Sequence, residues 1–197
     1  MDEKIYLLAS QLGKNRLKEN IDLTSYLKSK LGGMASAFYI ATTTSELIKI
    51  IQLCKELKLS FLVFGLGSKI AISHQGFQGV AIKNRCDGLK IFGIKGKVSR
   101  KGIGIEEAFL EAESGASLER LNGFALAQGL GGLEDFSSTL GTIGGSFLIN
   151  QILREKAAQV KVLTKENIQK TKQVREVDRE DIILSVIFKL KAKSPLS

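Results

Sequence analysis

The stretch AFYIATTTSELIKIIQLCKELKLSFLVFGLGSK, residues 37–69, decides the fold of this 197-residue chain. Apolar runs at residues 37–41 and Phe61–Phe64 predict two strands, and the second run is typical of a buried parallel strand. The segment between the two runs has its apolar residues at helical spacing. Two strands joined through a helix form a parallel crossover unit, so this stretch predicts a strand–helix–strand arrangement.

We expect the helix of this unit to be capped by Thr44 or Ser45, to carry Glu46 in its first turn, and to run to about Lys58. Its buried face is predicted at the apolar positions Leu47, Ile50, Ile51, Cys54 and Leu57. Upstream, residues 3–12 have the spacing of an amphipathic helix.

Beyond this unit the pattern changes to short apolar runs that glycines punctuate. The segment from Leu89 to Glu113 predicts a β-meander with strands in GLKIFGIKG, KVSRKGIGI and EEAFLEAES, and Ser117 is expected to cap a helix that runs through Gln128. Two more strands are predicted at residues 158–163 and 182–190, on either side of a charged segment at 164–181.

These elements predict an α+β protein of two lobes with a hinge near residue 85. The predicted parts are an N-terminal helix within residues 1–20, a small βαβ lobe at 21–85, a larger β-rich lobe with helices at 86–192, and a tail at 193–197.

The composition narrows the function classes. A net charge of +9 favours anionic partners such as phosphates and nucleotides, although a basic solvated surface also explains most of the lysines. Nucleic acid is an unlikely partner because no motif supports it and the chain has no Trp for a stacking platform. A single histidine, His74, argues against a histidine-based metal site or a Ser-His-Asp triad, so no metal is predicted.

Two further features bear on the compartment. Cys54 and Cys86 are isolated, which favours a reduced, cytoplasmic protein over a disulfide-bonded one. The first residues are too polar for a signal peptide, and no apolar run approaches the length of about 18 residues that a membrane helix needs. We therefore expect no membrane partner.

A glycine-rich loop, Gly65-Leu66-Gly67-Ser68-Lys69, directly follows the second predicted strand. Glycines there allow successive backbone N–H groups to form an anion-binding nest, to which Ser68 adds a hydroxyl and Lys69 a charge. By itself the motif is equally consistent with a tight turn at the strand exit.

A second glycine loop is Gly141-Thr142-Ile143-Gly144-Gly145-Ser146, whose glycines suggest close approach of the backbone to a ligand. The competing interpretation is a glycine-rich helix entry packed against a sheet. A third motif, Lys30-Leu31-Gly32-Gly33, is either a basic residue ahead of a functional glycine pair or a linker turn.

Together the three motifs resemble those of the UDP-N-acetylenolpyruvoylglucosamine reductase family, also called UDP-N-acetylmuramate dehydrogenases, of peptidoglycan synthesis. The resemblance rests on residues 23–84, on residues 115–150 and on the tail IILSVIFKLK, and it covers about residues 3–191. It implies FAD as the cofactor and the two-lobed FAD-binding fold of the vanillyl-alcohol-oxidase/PCMH type.

The resemblance also implies which residues contact the FAD diphosphate. Both loops do so in the family, which carries over here to ten positions: Gly65, Leu66, Gly67, Ser68, Lys69, Gly141, Thr142, Gly144, Gly145 and Ser146. Family members usually have Asn at the position of Lys69, and a lysine there can meet a phosphate as a point charge. The strand end at Ile40 and Ala41 is a further candidate for approach to the cofactor.

The chain departs from the family's sequence pattern in the segments that serve catalysis in the family. After Asn150 the chain continues Gln151-Ile152-Leu153-Arg154 where the family has Ala-Gly-Ala-Tyr-Gly, and Leu140 replaces a proline. The family's Tyr-Arg-x-Ser loop has no clean counterpart; Arg175 and Arg179 are near in sequence, but a solvated charged loop explains them better. We expect the family's final domain, which carries the proton-donating serine, to be absent, so no catalytic residue is assigned.

Three hypotheses remain. The chain is an FAD-binding module, either a divergent flavoprotein or half of a split enzyme. Alternatively, it is an active NADPH-dependent reductase of a UDP-sugar, completed by a partner chain. In the third hypothesis it is a non-enzymatic interaction protein that kept the fold and lost FAD.

Overall fold

The computed structural model describes residues 3–13, 15–99 and 102–193. The chain divides into two compact units, the first ending at Cys86 and the second beginning at Asp87. Each unit has its own sheet and its own core, and each is described by itself.

The first unit contains two helices and a four-stranded sheet. In chain order the elements are α1 Glu3–Leu12, β1 Leu17–Asp22, β2 Met34–Ala41, α2 Thr44–Glu56, β3 Phe61–Phe64 and β4 Phe77–Asn84. The strand order is β1-β2-β4-β3, with β2, β4 and β3 parallel to one another and β1 antiparallel to β2. The predicted strand–helix–strand unit is therefore confirmed, with β4 inserted between its two strands.

Three details of this unit differ from expectation. The cap of α2 is Thr43, not Thr44 or Ser45, because Thr43 is the extended residue before the first turn and its Oγ1 accepts from the Glu46 N–H at 3.2 Å. Leu57 lies beyond the last turn of α2 and is only half-buried. Strand β3 lies at the edge of the sheet, so Phe64 is its one fully buried residue and the prediction of a buried strand was wrong.

Strand β1 was not predicted. Its sequence, LKENID, carries four polar residues in six, so it has no apolar run to indicate a strand. It forms because β2 offers an antiparallel partner, with Leu17 opposite Tyr39 and Ile21 opposite Ala35. The helix predicted upstream of it is confirmed as α1, which buries Ile5, Leu8 and Ala9.

The second unit is built on an antiparallel sheet. Its elements are β5 Leu89–Ser99, β6 Gly102–Glu113, α3 Leu118–Ala127, β7 Leu130–Gly131, α4 Ile143–Phe147, α5 Gln151–Glu155, β8 Ala157–Leu163, β9 Gln169–Lys172 and β10 Ile182–Ala192. The strand order is β5-β6-β10-β8-β9, and β7 pairs with the end of β10.

The expected meander is one long hairpin. KVSRKGIGI does not form a strand of its own, since residues 97–99 continue β5 and residues 102–105 begin β6; residues 100–101 lie outside the described part of the chain. The predicted strands at 158–163 and 182–190 are confirmed as β8 and β10, and the Ser117 cap is confirmed by the Arg120 N–H bond to Ser117 Oγ at 3.1 Å. The charged segment contains β9, which was missed because only its pairing with β8 makes it a strand.

The described residues also bear on membrane-spanning helices and metal sites. None of the helices in that part of the chain is long and apolar enough to cross a membrane. Within the same residues no group of three or more His, Cys, Asp or Glu is placed to hold a metal ion. Cys54 and Cys86 are both buried and unbridged, and burial raises the pKa of the Cys54 thiol to about 12, which makes it unreactive.

A buried carboxylate ties several strands of the second sheet together. Glu111 on β6 is only 6% exposed; its Oε1 accepts from Ser185 Oγ on β10 and lies 2.8 Å from Lys161 Nζ on β8. Its Oε2 lies 3.2 Å from Lys90 Nζ on β5. Burial raises the pKa of Glu111, but the ammonium groups of Lys161 and Lys90 and the hydrogen bond from Ser185 outweigh burial and hold that pKa below its ordinary value.

We predict that Glu111→Gln lowers the free energy of unfolding by about 1–2 kcal/mol at pH 7, because a charged hydrogen-bonded group is lost. The folded-state pKa of Glu111 is depressed, so its contribution is present above the ordinary carboxyl pKa and is lost as pH falls through the folded value. Urea titrations at pH 7 and at about pH 3 measure this directly. The gap between the wild-type and variant stabilities should shrink in acid; a gap that stays constant would contradict the assignment.

Candidate functional site

The first glycine loop leaves the carboxyl end of β3 and is held by the segment at residues 26–31. The Lys28 N–H donates to the Leu66 carbonyl at 2.9 Å, and the Ser29 N–H donates to the Gly67 carbonyl at 3.2 Å. Ser29 Oγ then donates to the Ile70 carbonyl at 2.9 Å. The carbonyl oxygens of the loop are thus used inside the protein.

The amide groups of the same loop are not used in this way. Among the described residues, no acceptor receives the N–H of Gly65, Leu66, Gly67 or Ser68. Gly67 has a φ of +63°, and a left-handed residue within a short turn is the geometry that gathers successive N–H groups into an anion-binding nest. Four uncommitted donors in sequence suit a ligand with several oxygen acceptors, such as a diphosphate.

Glycine is required at Gly67 for a second reason. A Cβ built there would lie 2.5 Å from Leu27 Cδ2 and 3.1 Å from Leu27 Cα.

The same kind of close packing explains the glycine pair of the third motif, Lys30-Leu31-Gly32-Gly33. A Cβ on Gly32 would lie 2.6 Å from the Thr24 backbone N, and one on Gly33 would lie 2.3 Å from the Ser73 carbonyl oxygen. The glycine pair is therefore accounted for by packing, and Lys30 ahead of it is exposed.

The second loop uses most of its amides internally. The Ile143 N–H donates to the Ala116 carbonyl at 2.9 Å, and the Gly144 N–H donates to the Ser114 carbonyl at 2.8 Å. Thr142 caps α4, with Oγ1 accepting from the Gly145 N–H at 3.4 Å. Within the described chain, the N–H groups of Gly141 and Thr142 are the ones in this turn that no acceptor receives.

Two predicted contact residues of the second loop have packing roles. A Cβ on Gly144 would lie 3.0 Å from Ser114 Cβ, and Ser146 is completely buried. Gly145 is exposed and has room around it, since an added Cβ would meet only Thr142 Oγ1 at 3.4 Å. For Gly144 and Ser146 the interpretation as a packed helix entry describes the geometry, whereas the N–H groups of Gly141 and Thr142, both buried residues, have no acceptor among the described residues.

An open cavity of about 480 Å³ lies beyond the second loop. It is lined by Leu148, Ile149, Gln151, Arg154, Glu155, Val174 and Arg175. Asn150 is the N-terminal cap of α5 beside this cavity, and its Oδ1 accepts from the Leu153 N–H at 2.9 Å. The run that departs from the family and the candidate Arg175 therefore meet at one cavity, and Arg154 Nη2 donates to the Val174 carbonyl at 3.4 Å. Arg179 is exposed and does not line it.

One residue near the first loop was missed from the sequence. Lys83, next to last in β4, is half-buried, and its Nζ donates to the Tyr26 carbonyl at 2.9 Å. Burial lowers the pKa of Lys83, and the neighbouring charge of Arg85 lowers it further. The available signal was a lysine directly after the apolar run VAI of the strand FQGVAIKN.

Comparisons with known proteins identify the family that this chain matches. The profile of the FAD binding domain family matches residues 35–154. The UDP-N-acetylenolpyruvoylglucosamine reductase of Clostridium botulinum strain Alaska E43 is 30% identical over 145 residues, which are 73% of this chain and 43% of that protein. The chain spans about half the length of the curated relatives that it matches.

Solved structures show the same fold. The UDP-N-acetylenolpyruvylglucosamine reductase of Thermus caldophilus matches with a TM-score of 0.69 at 18% identity, over 91% of this chain and 64% of that one. A p-cresol methylhydroxylase matches with a TM-score of 0.62 at 11% identity, over 99% of this chain and 44% of that one. The predicted α+β fold of the vanillyl-alcohol-oxidase/PCMH type is confirmed.

We predict that Gly67→Ala destabilises the protein by about 1–3 kcal/mol, because alanine disfavours a positive φ and its Cβ would clash with Leu27. Gly123→Ala is the matched control: it lies in α3, and a Cβ there meets nothing within 4 Å. That control should be neutral or stabilising by up to about 1 kcal/mol. Urea unfolding of both variants measures the difference, and equal effects would show that the loop tolerates a side chain.

Proposed function

The chain belongs to the FAD-binding domain family, and we propose that it holds its FAD chiefly by the diphosphate, through backbone donors of its two glycine loops. The observation that carries this proposal is the set of four uncommitted N–H groups at residues 65–68. A diphosphate offers several anionic oxygens and so can accept from all of them at once.

The two loops contribute unequally to this proposal. The first loop offers its four amides, the hydroxyl of Ser68 and the charge of Lys69. The second offers the amides of Gly141 and Thr142, with the exposed backbone of Gly145 beside them. A protein with a net charge of +9 also attracts such an anion electrostatically.

We infer that the chain serves an NADPH-dependent reduction of a UDP-sugar in peptidoglycan synthesis, in the cytoplasm. The support is the name of the relatives, UDP-N-acetylenolpyruvoylglucosamine reductase. When bound, FAD supplies the hydride-transferring group, and the residues of this chain bind and orient it. The reaction also needs a positioned proton donor; we assign none among the described residues and propose that a partner chain supplies it. The FAD-loaded chain alone, supplied with NADPH, should therefore not convert the enolpyruvyl UDP-sugar to its reduced product, as read by mass spectrometry of the sugar.

A titration of the purified chain with FAD tests the proposed function. We expect a yellow complex whose melting temperature rises with FAD, since a ligand at 100 times its Kd stabilises the folded state by about 2.7 kcal/mol. Riboflavin, which has the same ring system without the diphosphate, should stabilise far less. A colourless protein with no thermal shift would favour the interaction protein that lost FAD.

The charge of Lys69 provides a sharper test of the first loop. We predict that Lys69→Glu weakens FAD by about tenfold, equivalent to about 1.4 kcal/mol, because an attractive charge becomes repulsive. Lys58→Glu is the control: it makes the same change in net charge at the opposite end of β3. Flavin fluorescence titrations of both variants measure the two affinities. If the two variants bind FAD equally well, Lys69 does not contact the diphosphate.

A further inference from the structure

Lys83 occupies an unusual place for a cation. It lies near the carboxyl end of β4, the strand between β2 and β3, where it pairs with Ile40 on one side and Phe64 on the other. Its Nζ lies 5.6 Å from the centroid of the Tyr26 ring and 5.9 Å from that of the Phe64 ring. The ammonium group is thus set among apolar and aromatic groups at the edge from which the first loop departs.

Within residues 3–13, 15–99 and 102–193, this cation has no counter-charge. No carboxylate of the described residues lies within 4.0 Å of Lys83 Nζ, and the one acceptor that it reaches is the Tyr26 carbonyl. An ammonium has three N–H donors, so two remain for other partners. The nearby charge that acts on it is that of Arg85, which is repulsive.

Such an arrangement costs folding free energy. A half-buried ammonium loses part of its hydration, which a single bond to a neutral carbonyl and the contacts with the Tyr26 and Phe64 rings recover only in part. A methionine of similar length would fill the same space without that cost. Stability of the protein alone therefore does not explain a lysine at this position.

The same short segment fixes both the ammonium group and the first loop. Tyr26 accepts from Lys83, while Lys28 and Ser29 hold the carbonyls of Leu66 and Gly67. Phe64, whose ring faces Lys83 Nζ, directly precedes Gly65. The ammonium group and the first loop are therefore both bonded to residues 26–29 of the first unit.

We propose that Lys83 is a diphosphate-binding residue, whose ammonium group neutralises one negative charge of the ligand held by the amides of residues 65–68. This inference rests on the proposed function and adds the Lys83 side chain to the groups that bind the diphosphate. It accounts for the missing counter-charge, because the ligand brings that charge.

Lys83→Met tests the proposal, because methionine keeps the apolar stem and removes the charge. We expect the variant to bind FAD and inorganic pyrophosphate about 10–100 times more weakly, with a smaller dependence of FAD affinity on salt. Riboflavin affinity should not change. The ligand-free variant should melt at the same temperature as the wild type or higher, which a purely structural lysine would not allow. Lys83→Arg should retain most of the affinity, and Lys58→Met controls for net charge.

A second measurement uses the wild-type protein and does not depend on the fold of a variant. Lys83 should be acetylated by acetic anhydride more slowly when FAD is saturating, as read from peptide mass spectra, whereas Lys58 should be unaffected. Unchanged acetylation of Lys83, or equal FAD affinity of wild type and Lys83→Met, would overturn the inference while leaving the proposed function intact. A wild type that binds neither FAD nor pyrophosphate would overturn both.

Discussion

The hydrogen bonds from the Lys28 and Ser29 amides to the carbonyls of Leu66 and Gly67 are the constraint on which the candidate site depends. They anchor the first loop through its carbonyl oxygens. The backbone N–H groups of residues 65–68 have no acceptor among the described residues. The positive φ of Gly67 belongs to the same arrangement, because the loop must turn tightly against Leu27 to reach those partners. A loop anchored through its side chains would not present its backbone N–H groups in this way, since a backbone that is free to relax would satisfy them.

The two units treat buried charge in different ways. In the second unit Glu111 is compensated from three strands, by Lys90, Lys161 and Ser185, so its charge is part of the protein's own stability. In the first unit the described residues give Lys83 a carbonyl and two aromatic rings, but no carboxylate. A charge whose partner is missing from the protein indicates a ligand of the opposite sign, whereas a charge with all its partners present indicates structure.

The two glycine loops, similar in composition, differ in what their glycines do. In the first loop the amides remain available. In the second loop the N–H groups of Ile143 and Gly144 donate to carbonyls of the turn at residues 114–116. Position 144 favours glycine because Ser114 packs against it. Glycine content alone therefore does not distinguish a ligand loop from a packed helix entry. The hydrogen-bond partners of the backbone do, because each N–H group can be committed only once in such a turn.

The sequence by itself determined the elements whose signals are local. The apolar spacing of α2, the apolar runs of β2, β8 and β10, and the Ser117 cap each depend on residues close together in the chain, and the glycine motifs with their order were enough to indicate the FAD-binding fold. The tertiary structure decided what depends on a distant partner. Strands β1 and β9 exist because β2 and β8 pair with them, and β3 is only half-buried because it lies at an edge. Arg175 and Arg154 line one cavity only because the chain folds. Lys83 belongs to the same class: its lack of a counter-charge is a property of its surroundings, which sequence spacing does not encode.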